Sequence, residues 1–298
     1  MKNIIHKLVR KFYASSNLLL SSALLLGVFQ LPLVTTQQLN KPVSKSDALQ
    51  TLSVENTDDK ISIQDEFFGS EVKGSVANSI IETKMKYVET RKAYLPSLAV
   101  IKKHEKTIKS IAKEKGVPED VAIGVSLLEN GGSETAVSSA GALGVFQLMP
   151  GTARSLGLTV TKSRDDRKNP QRNIEAGIIY LKANYDRFGD WGLATWAYHA
   201  GEGNVAKALK IYAKANHGIN LPGVNESGKL KDYVEKYGIN IHKLLSSSAV
   251  KAFTKKLNDD SQGYPYKVLA TATLFKQSKN QTTTVPGLIL GNKDTNIR

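Results

Sequence analysis

Between residues 101 and 276, apolar residues recur at helical spacing through most of the chain. Ile101, His104, Ile108, Ile111 and Ala112 mark one face of a helix whose other face is Lys and Glu, and Lys115-Gly116 ends it. Pro118 opens the next helix, with Glu119 and Asp120 in its first turn and a nearly unbroken apolar run over 121–128. Gly131 and Gly132 are expected to stop it. A short helix over 152–156 closes at Gly157, and a charged loop over 162–169 leads to Pro170. Ile174, Gly177, Ile178, Leu181, Tyr185 and Phe188 then define a strongly amphipathic helix, with Asn173 as its cap and Gly189 as its stop. Asp190 caps a helix over Trp191–Ala200, and Val205, Ala208, Leu209 and Tyr212 open another. Helical pieces follow near 230–237 and 242–257. The pattern predicts a mainly α protein.

The flanks are different. From 37 to about 79 the chain is polar, rich in Ser, Thr and Asp, and without sustained periodicity. A helical pattern begins near Ile80 and is interrupted at Pro96. The expected organisation is a leader over 1–36, a polar linker or weakly ordered arm over 37–100, a helical domain over 101–276 and a polar tail over 277–298. The leader reading rests on Lys2, Lys7, Arg10 and Lys11 ahead of an apolar run over 18–34, broken by Ser21, Ser22 and Gln30. Val34-Thr35-Thr36 is the nearest approach to a small-residue cleavage site. The run is also nearly long enough to span a bilayer, so a cleaved signal and a retained anchor both stay open. Either one places the protein outside the cytoplasm, secreted or anchored at the cell envelope.

Composition narrows the chemistry. The chain has 298 residues and no Cys, which excludes a disulfide, a thiol nucleophile and a Cys-based zinc site. A net charge of +14 points to an anionic partner, such as an anionic cell-wall polymer or a membrane surface. Nucleic acid is set aside because no compact Arg/Lys block interleaved with aromatics occurs.

One acid stands out. Glu129 ends the apolar helical run, where desolvation and the partial negative charge of a helix C-terminus both disfavour its charged form. A raised pKa suits a general acid at neutral pH. Small residues follow, with Ser138, Gly141 and Gly144, then Gln147, Met149 and a Pro150-Gly151 turn. Gln147 carries both a donor and an acceptor, as sugar hydroxyls and acetamides require.

This segment resembles the catalytic segment of the soluble-type lytic transglycosylases, relatives of goose-type lysozyme. Ala136-Val137-Ser138, Gly141-Ala142-Leu143-Gly144, Gln147 and Met149-Pro150-Gly151-Thr152-Ala153 fall in register with Glu129. Asn130 stands where that family usually has Ser, and Gly132 where it often has Phe. Asn173-Ile174, Ala176-Gly177 and Tyr180-Leu181 match a second block, and Ala197-Tyr198-His199-Ala200-Gly201 a third, with His199 in place of Asn. The last block resembles 264–270 with Tyr266 in the family's Tyr position and Gln262 where it has Glu. The stretch 216–263 is then an insertion over or beside the groove, a lid or partner surface whose acids, such as Asp259 and Asp260, sit in a Lys-rich context.

The resemblance implies an α+β lysozyme-like fold, a helical domain with a small loop/β region lining a glycan groove. It implies Glu129 as the catalytic acid and then base, with Ser138, Gln147, Met149, Tyr198, His199 and Tyr266 holding substrate, and no metal or cofactor. The implied reaction cleaves the β-1,4 bond between N-acetylmuramic acid and N-acetylglucosamine in peptidoglycan strands, closing a 1,6-anhydro ring. A hydrolytic muramidase on the same fold, and a peptidoglycan-binding or assembly protein with secondary activity, are the alternatives. Glu134, Glu175 and Glu202 read as exposed or capping acids.

Overall fold

The helix that ends in Glu129 is apolar nearly all round, and the fold wraps it. The computed structural model describes residues 62–280 except 71, 258 and 259. Twelve α-helices follow along them: α1 (Ile63–Phe68), α2 (Gly74–Glu89), α3 (Tyr94–Lys115), α4 (Glu119–Glu129), α5 (Pro150–Ser155), α6 (Pro170–Phe188), α7 (Trp191–Ala200), α8 (Glu202–His217), α9 (Ser227–Tyr237), α10 (Ile241–Ser246), α11 (Ser248–Thr254) and α12 (Tyr264–Asn280). In α4 every residue from Val121 to Leu128 is buried, the mark of a core helix rather than a surface one. It packs against α3 and α12, while α6 and α7 pack on each other and α3 reaches α6.

The contact between α4 and α12 is close because Gly124 lacks a side chain. A Cβ at that position would stand 2.4 Å from the Val268 carbonyl oxygen. The Thr271 hydroxyl donates to the Gly124 carbonyl at 2.8 Å, so the two backbones are also tied directly.

Residues 62–100 correct the expectation of a weakly ordered arm. Phe67 and Phe68 of α1 are 0% and 1% exposed, and Glu66 accepts the Trp191 N–H at 2.9 Å at the start of α7. Burying two phenylalanines outweighs the polar composition around them, which is why local sequence misjudged the segment. Pro96 does not break a helix either. It is the third residue of α3, in the first turn, where a backbone N–H has no intrahelical partner to lose.

Among the described residues there is no strand. The expected loop/β region contains only isolated bridges, Val137 with Leu143, Leu143 with Leu148, and Val160 with Asp165. Two buried side chains hold this loop from beneath. Asn173 caps nothing; Asn169 accepts the Arg172 N–H as the cap of α6. Asn173 instead accepts the Phe146 N–H at 2.8 Å and donates to the carbonyls of Leu143 and Arg167 at 2.9 and 3.1 Å. Its amide nitrogen lies 2.2 Å from where a Cβ on Gly144 would be, and Gly144 has a φ of +94°, so only glycine fits there. Arg167, 6% exposed, pairs with Asp165 and donates to the Gly141 and Leu148 carbonyls. Asn173→Ala leaves the Phe146 N–H and the Arg167 carbonyl without their partner, at about 1–3 kcal/mol each before relaxation, and takes one of two donors from the Leu143 carbonyl, which keeps the Leu148 N–H. The expected loss is about 3 kcal/mol in denaturant unfolding, and a loss under about 1 kcal/mol would show that the loop is held elsewhere.

The leader, the first part of the arm and the tail from 281 lie outside the described residues. The 216–263 stretch supplies α9, α10 and α11, with α9 packed on α6 and α11 on α8. Most of it therefore buttresses the domain.

Candidate active site

Glu129 is the last residue of α4, and the helix leaves it through Asn130, whose backbone is extended. The expected glycine stop does not occur. Asn130 is fully buried; its side chain accepts the Gly132 N–H at 2.8 Å and donates to the Ser133 carbonyl at 3.0 Å. The carbonyls at this helix end are satisfied from the turn after α2 and from α3: Arg91 donates to Leu128 at 2.8 Å and Ser97 to Asn130 at 2.6 Å. Glu134, read as an exposed or capping acid, ties the following loop to α3 through His104 at 2.8 Å.

The Glu129 side chain opens on a cavity of about 490 Å³, within the usual range for ligand sites. Burial pushes its carboxyl above the usual carboxylate range, partly offset by a hydrogen bond from Tyr264 and by the charge of Arg91. The Tyr264 hydroxyl donates to Oε1 at 2.6 Å. Burial first, and Glu129 second, hold the Tyr264 phenol well above its ordinary pKa, so it remains a donor.

Ser138, Gln147 and His199 line the same cavity. Ser138 Oγ accepts the Ala142 N–H at 3.0 Å, a turn contact that keeps its own proton available to donate. Gln147 Nε2 donates to the carbonyls of Ala136 and Gly144 at 2.8 and 2.9 Å. Its amide therefore presents an acceptor to the cavity, rather than the donor and acceptor expected from sequence. Those two bonds also hold its backbone at a φ of +45°, a left-handed conformation that disfavours a side chain by about 1 kcal/mol or more. The His199 ring stacks on Tyr264 with centroids 4.4 Å apart.

Three expected site residues lie outside the cavity lining. Tyr198 donates to the Phe146 carbonyl at 2.6 Å and packs on Tyr180, so its hydroxyl helps hold the loop. Met149 is the N-cap residue just before α5 and is 43% exposed. Tyr266 stacks on Phe68 and is hydrogen-bonded to His242 at 3.0 Å, in a separate cavity that Gln262 also lines. The aromatic that reaches Glu129 is Tyr264. Helical phase carries that signal, since Tyr264, Val268 and Thr271 fall on the face of α12 that meets α4, and a residue two positions on turns away.

Leu128 and Ala142 also line the cavity, as do Tyr87, Arg91, Asp260 and Lys267, four residues not singled out from sequence as site residues. Asp260, read as part of a noncatalytic insertion, stands in the cavity wall, with Lys267 Nζ 2.6 Å and Lys84 Nζ 4.0 Å from Oδ2. Among the described residues no group of three or more His, Asp or Glu side chains gathers at metal-binding distance.

Residues 106–219 match the family model described as the Transglycosylase SLT domain. A transglycosylase of Enterobacteria phage PRD1 is 35% identical over 118 residues, covering 39% of this chain and 42% of the phage protein. Membrane-bound lytic murein transglycosylase D of Escherichia coli is 28% identical over 174 residues, covering 57% of this chain and 38% of that protein. The solved 70 kDa soluble lytic transglycosylase of Escherichia coli aligns at 20% identity with a TM-score of 0.40, over 58% of this chain and 24% of that one. This chain thus spans about two fifths of the length of the two curated relatives. The match begins inside α3 and takes in Glu129 and its loop, and the chain therefore carries an SLT-type lytic transglycosylase domain.

Proposed function

We propose that this chain is a peptidoglycan lytic transglycosylase with Glu129 as its single acid and base. The observation that carries the reading is a buried carboxyl, whose burial raises its pKa, at the edge of a cavity large enough for a sugar. Glu129 gives its proton to the glycosidic oxygen as the bond from that oxygen to the muramic C1 breaks. The acetamide carbonyl of the same sugar stabilises the positive charge at C1. The C6 hydroxyl then attacks C1 and its proton returns to Glu129, which balances the reaction without water. Tyr264 holds one carboxylate oxygen throughout, Ser138 offers a donor to the bound sugar and Gln147 an acceptor.

Asp260 favours a second reading. Two carboxylates in one groove are the equipment of most glycosidases, in which the second one activates water or attacks C1. In this site Lys267 occupies one Asp260 oxygen, and that pairing supports a structural role. Intramolecular attack also starts with an advantage of about 7–11 kcal/mol over a freely diffusing reactant, part of which the concentration of water recovers. Mass spectrometry of glycan strands digested by the full chain separates the two. The expected product ends in 1,6-anhydromuramic acid, lighter by one water than a hydrolytic product. Predominantly reducing muramic ends would make Asp260 the base and the enzyme a muramidase.

The working place is the cell envelope. Relatives carry the names murein transglycosylase and membrane-bound murein transglycosylase, and the basic, apolar leader of this chain supports export. Among the described residues no helix is long and apolar enough to cross a membrane. Glycan strands are the proposed partner, and the charge of +14 favours anionic polymers or membrane surface around them.

A further inference from the structure

Part of the cavity wall lies outside the matched segment 106–219: Tyr87 and Arg91 before it, Asp260, Tyr264 and Lys267 after it. Tyr87 is the feature of that wall that a structural role does not explain. It sits in the last turn of α2, lines the cavity and is 52% exposed, among the few large apolar side chains left open to solvent.

The ring is nonetheless held. Lys267 Nζ stands over it, 4.7 Å from the centroid, and this lysine is fixed by Asp260 at 2.6 Å with a side chain only 12% exposed. The helix end beneath Tyr87 is fixed as well: Thr90 donates side chain and backbone to the Tyr87 carbonyl, and Arg91 anchors to the end of α4. One face of the ring is thus covered by a cation, and the half-exposed side chain is held at the cavity wall at little entropic cost on binding.

A flat aromatic face beside a polar cavity fits a pyranose. The sugar turns a face of C–H bonds to the ring while its hydroxyls reach the polar groups at the rim, here Ser138, Gln147 and Asp260. We propose that Tyr87 is a sugar-stacking platform, braced by Lys267, that adds affinity for the glycan strand beyond what the matched domain supplies. The inference rests on the proposed function and deepens it, naming a residue that sets how tightly strands are held.

The experiment uses the full chain and peptide-free peptidoglycan glycan strands. KM and kcat are measured for the parent protein, Tyr87→Ala and Tyr87→Phe, and strand binding is measured for the same set in a Glu129→Gln background. Stacking of this kind contributes about as much as an aromatic pair, so Tyr87→Ala is expected to raise KM and Kd by about three- to tenfold. Its kcat is expected to stay within about twofold and its melting temperature unchanged, with Tyr87→Phe like the parent. An unchanged KM for Tyr87→Ala in a protein that cleaves strands overturns the platform and leaves the proposed function standing. Loss of kcat and melting temperature together overturns it in favour of a bracing role. Tyr87→Phe as weak as Tyr87→Ala assigns the effect to the hydroxyl and overturns stacking. A parent protein that neither binds nor cleaves strands removes the proposed function, and this inference with it.

Discussion

Glu129→Gln is expected to lower strand cleavage by about 10²- to 10⁴-fold, the usual contribution of a positioned acid or base, and by more if both roles fall on this residue. The fold should not suffer. The amide keeps the shape, and its oxygen still accepts the Tyr264 hydroxyl that now stands 2.6 Å from Oε1. Stability should even favour the variant as pH rises. Burial lifts the folded-state pKa of Glu129 above its ordinary value of 4.5, so the folded protein holds this proton over a range where the unfolded chain has released it. The stability that Glu129 contributes is complete below the unfolded pKa and is lost as pH climbs through the folded one. Glutamine does not titrate, so the melting temperature of the variant minus that of the parent should grow from acid to neutral pH. Cleavage by the parent should fall over the same range, since its first step needs the protonated acid. Burial raises this titration and Tyr264 and Arg91 lower it; His199, Lys267 and Asp260 line the same cavity. Turnover near the parent level, or a melting difference flat in pH, would remove Glu129 from the chemistry.

Gly124→Ala is expected to destabilise the core although it adds a single methyl group. Alanine favours a helix over glycine by about 1 kcal/mol, so helix propensity alone would make the variant more stable. Packing decides otherwise. The new Cβ would lie 2.4 Å from the Val268 carbonyl oxygen and 2.9 Å from its Cγ1. A backbone oxygen inside α12 cannot swing aside as a side chain does, and the bond from Thr271 to Gly124 resists separation of the helices. Overpacking of a tight core costs about 1–3 kcal/mol and sometimes more, and here the collision is with backbone. A net loss of about 2 kcal/mol is expected, which for a domain of this size lowers the melting temperature by about 4–8 °C. Glu129 and Tyr264 sit on these same two helices, so any widening also lengthens their hydrogen bond. A melting temperature at or above the parent's would show that the helices have room to move.

The sequence carried the helical core and its chemistry unevenly, for physical reasons. Apolar period revealed α3, α4, α6, α7 and α8, because each has a wide apolar face, while the stop expected for α4 and the cap expected for α6 were misplaced. Glu129 was legible because an acid ending an apolar run has few structural excuses. The cavity's outer wall was not. Tyr87 and Arg91 follow a polar stretch whose order depends on Phe67 and Phe68 docking against distant helices, and no local window reports that. Asn173 looked like a cap because Asn caps helices, whereas its three bonds are to a loop that precedes it by 27 and 30 residues or lies six residues away. Tyr266 was preferred to Tyr264 by alignment of a short block, and helix phase would have reversed the choice. Ser138, Gln147 and His199 did meet at the cavity, because a tight loop and a short helix leave few other places for them.

The hydrogen bonds from Arg91 and Ser97 to the end of α4 bear on modularity. The family-model match begins at residue 106, yet the carbonyls of Leu128 and Asn130 are completed by residues upstream of that border. The recognisable domain and the cooperative folding unit therefore have different borders. A transplant of 106–219 into another protein would carry the acid but not the groups that finish its helix. Recombination can exchange this catalytic segment only together with the helices ahead of it, or into a host that already provides their equivalent.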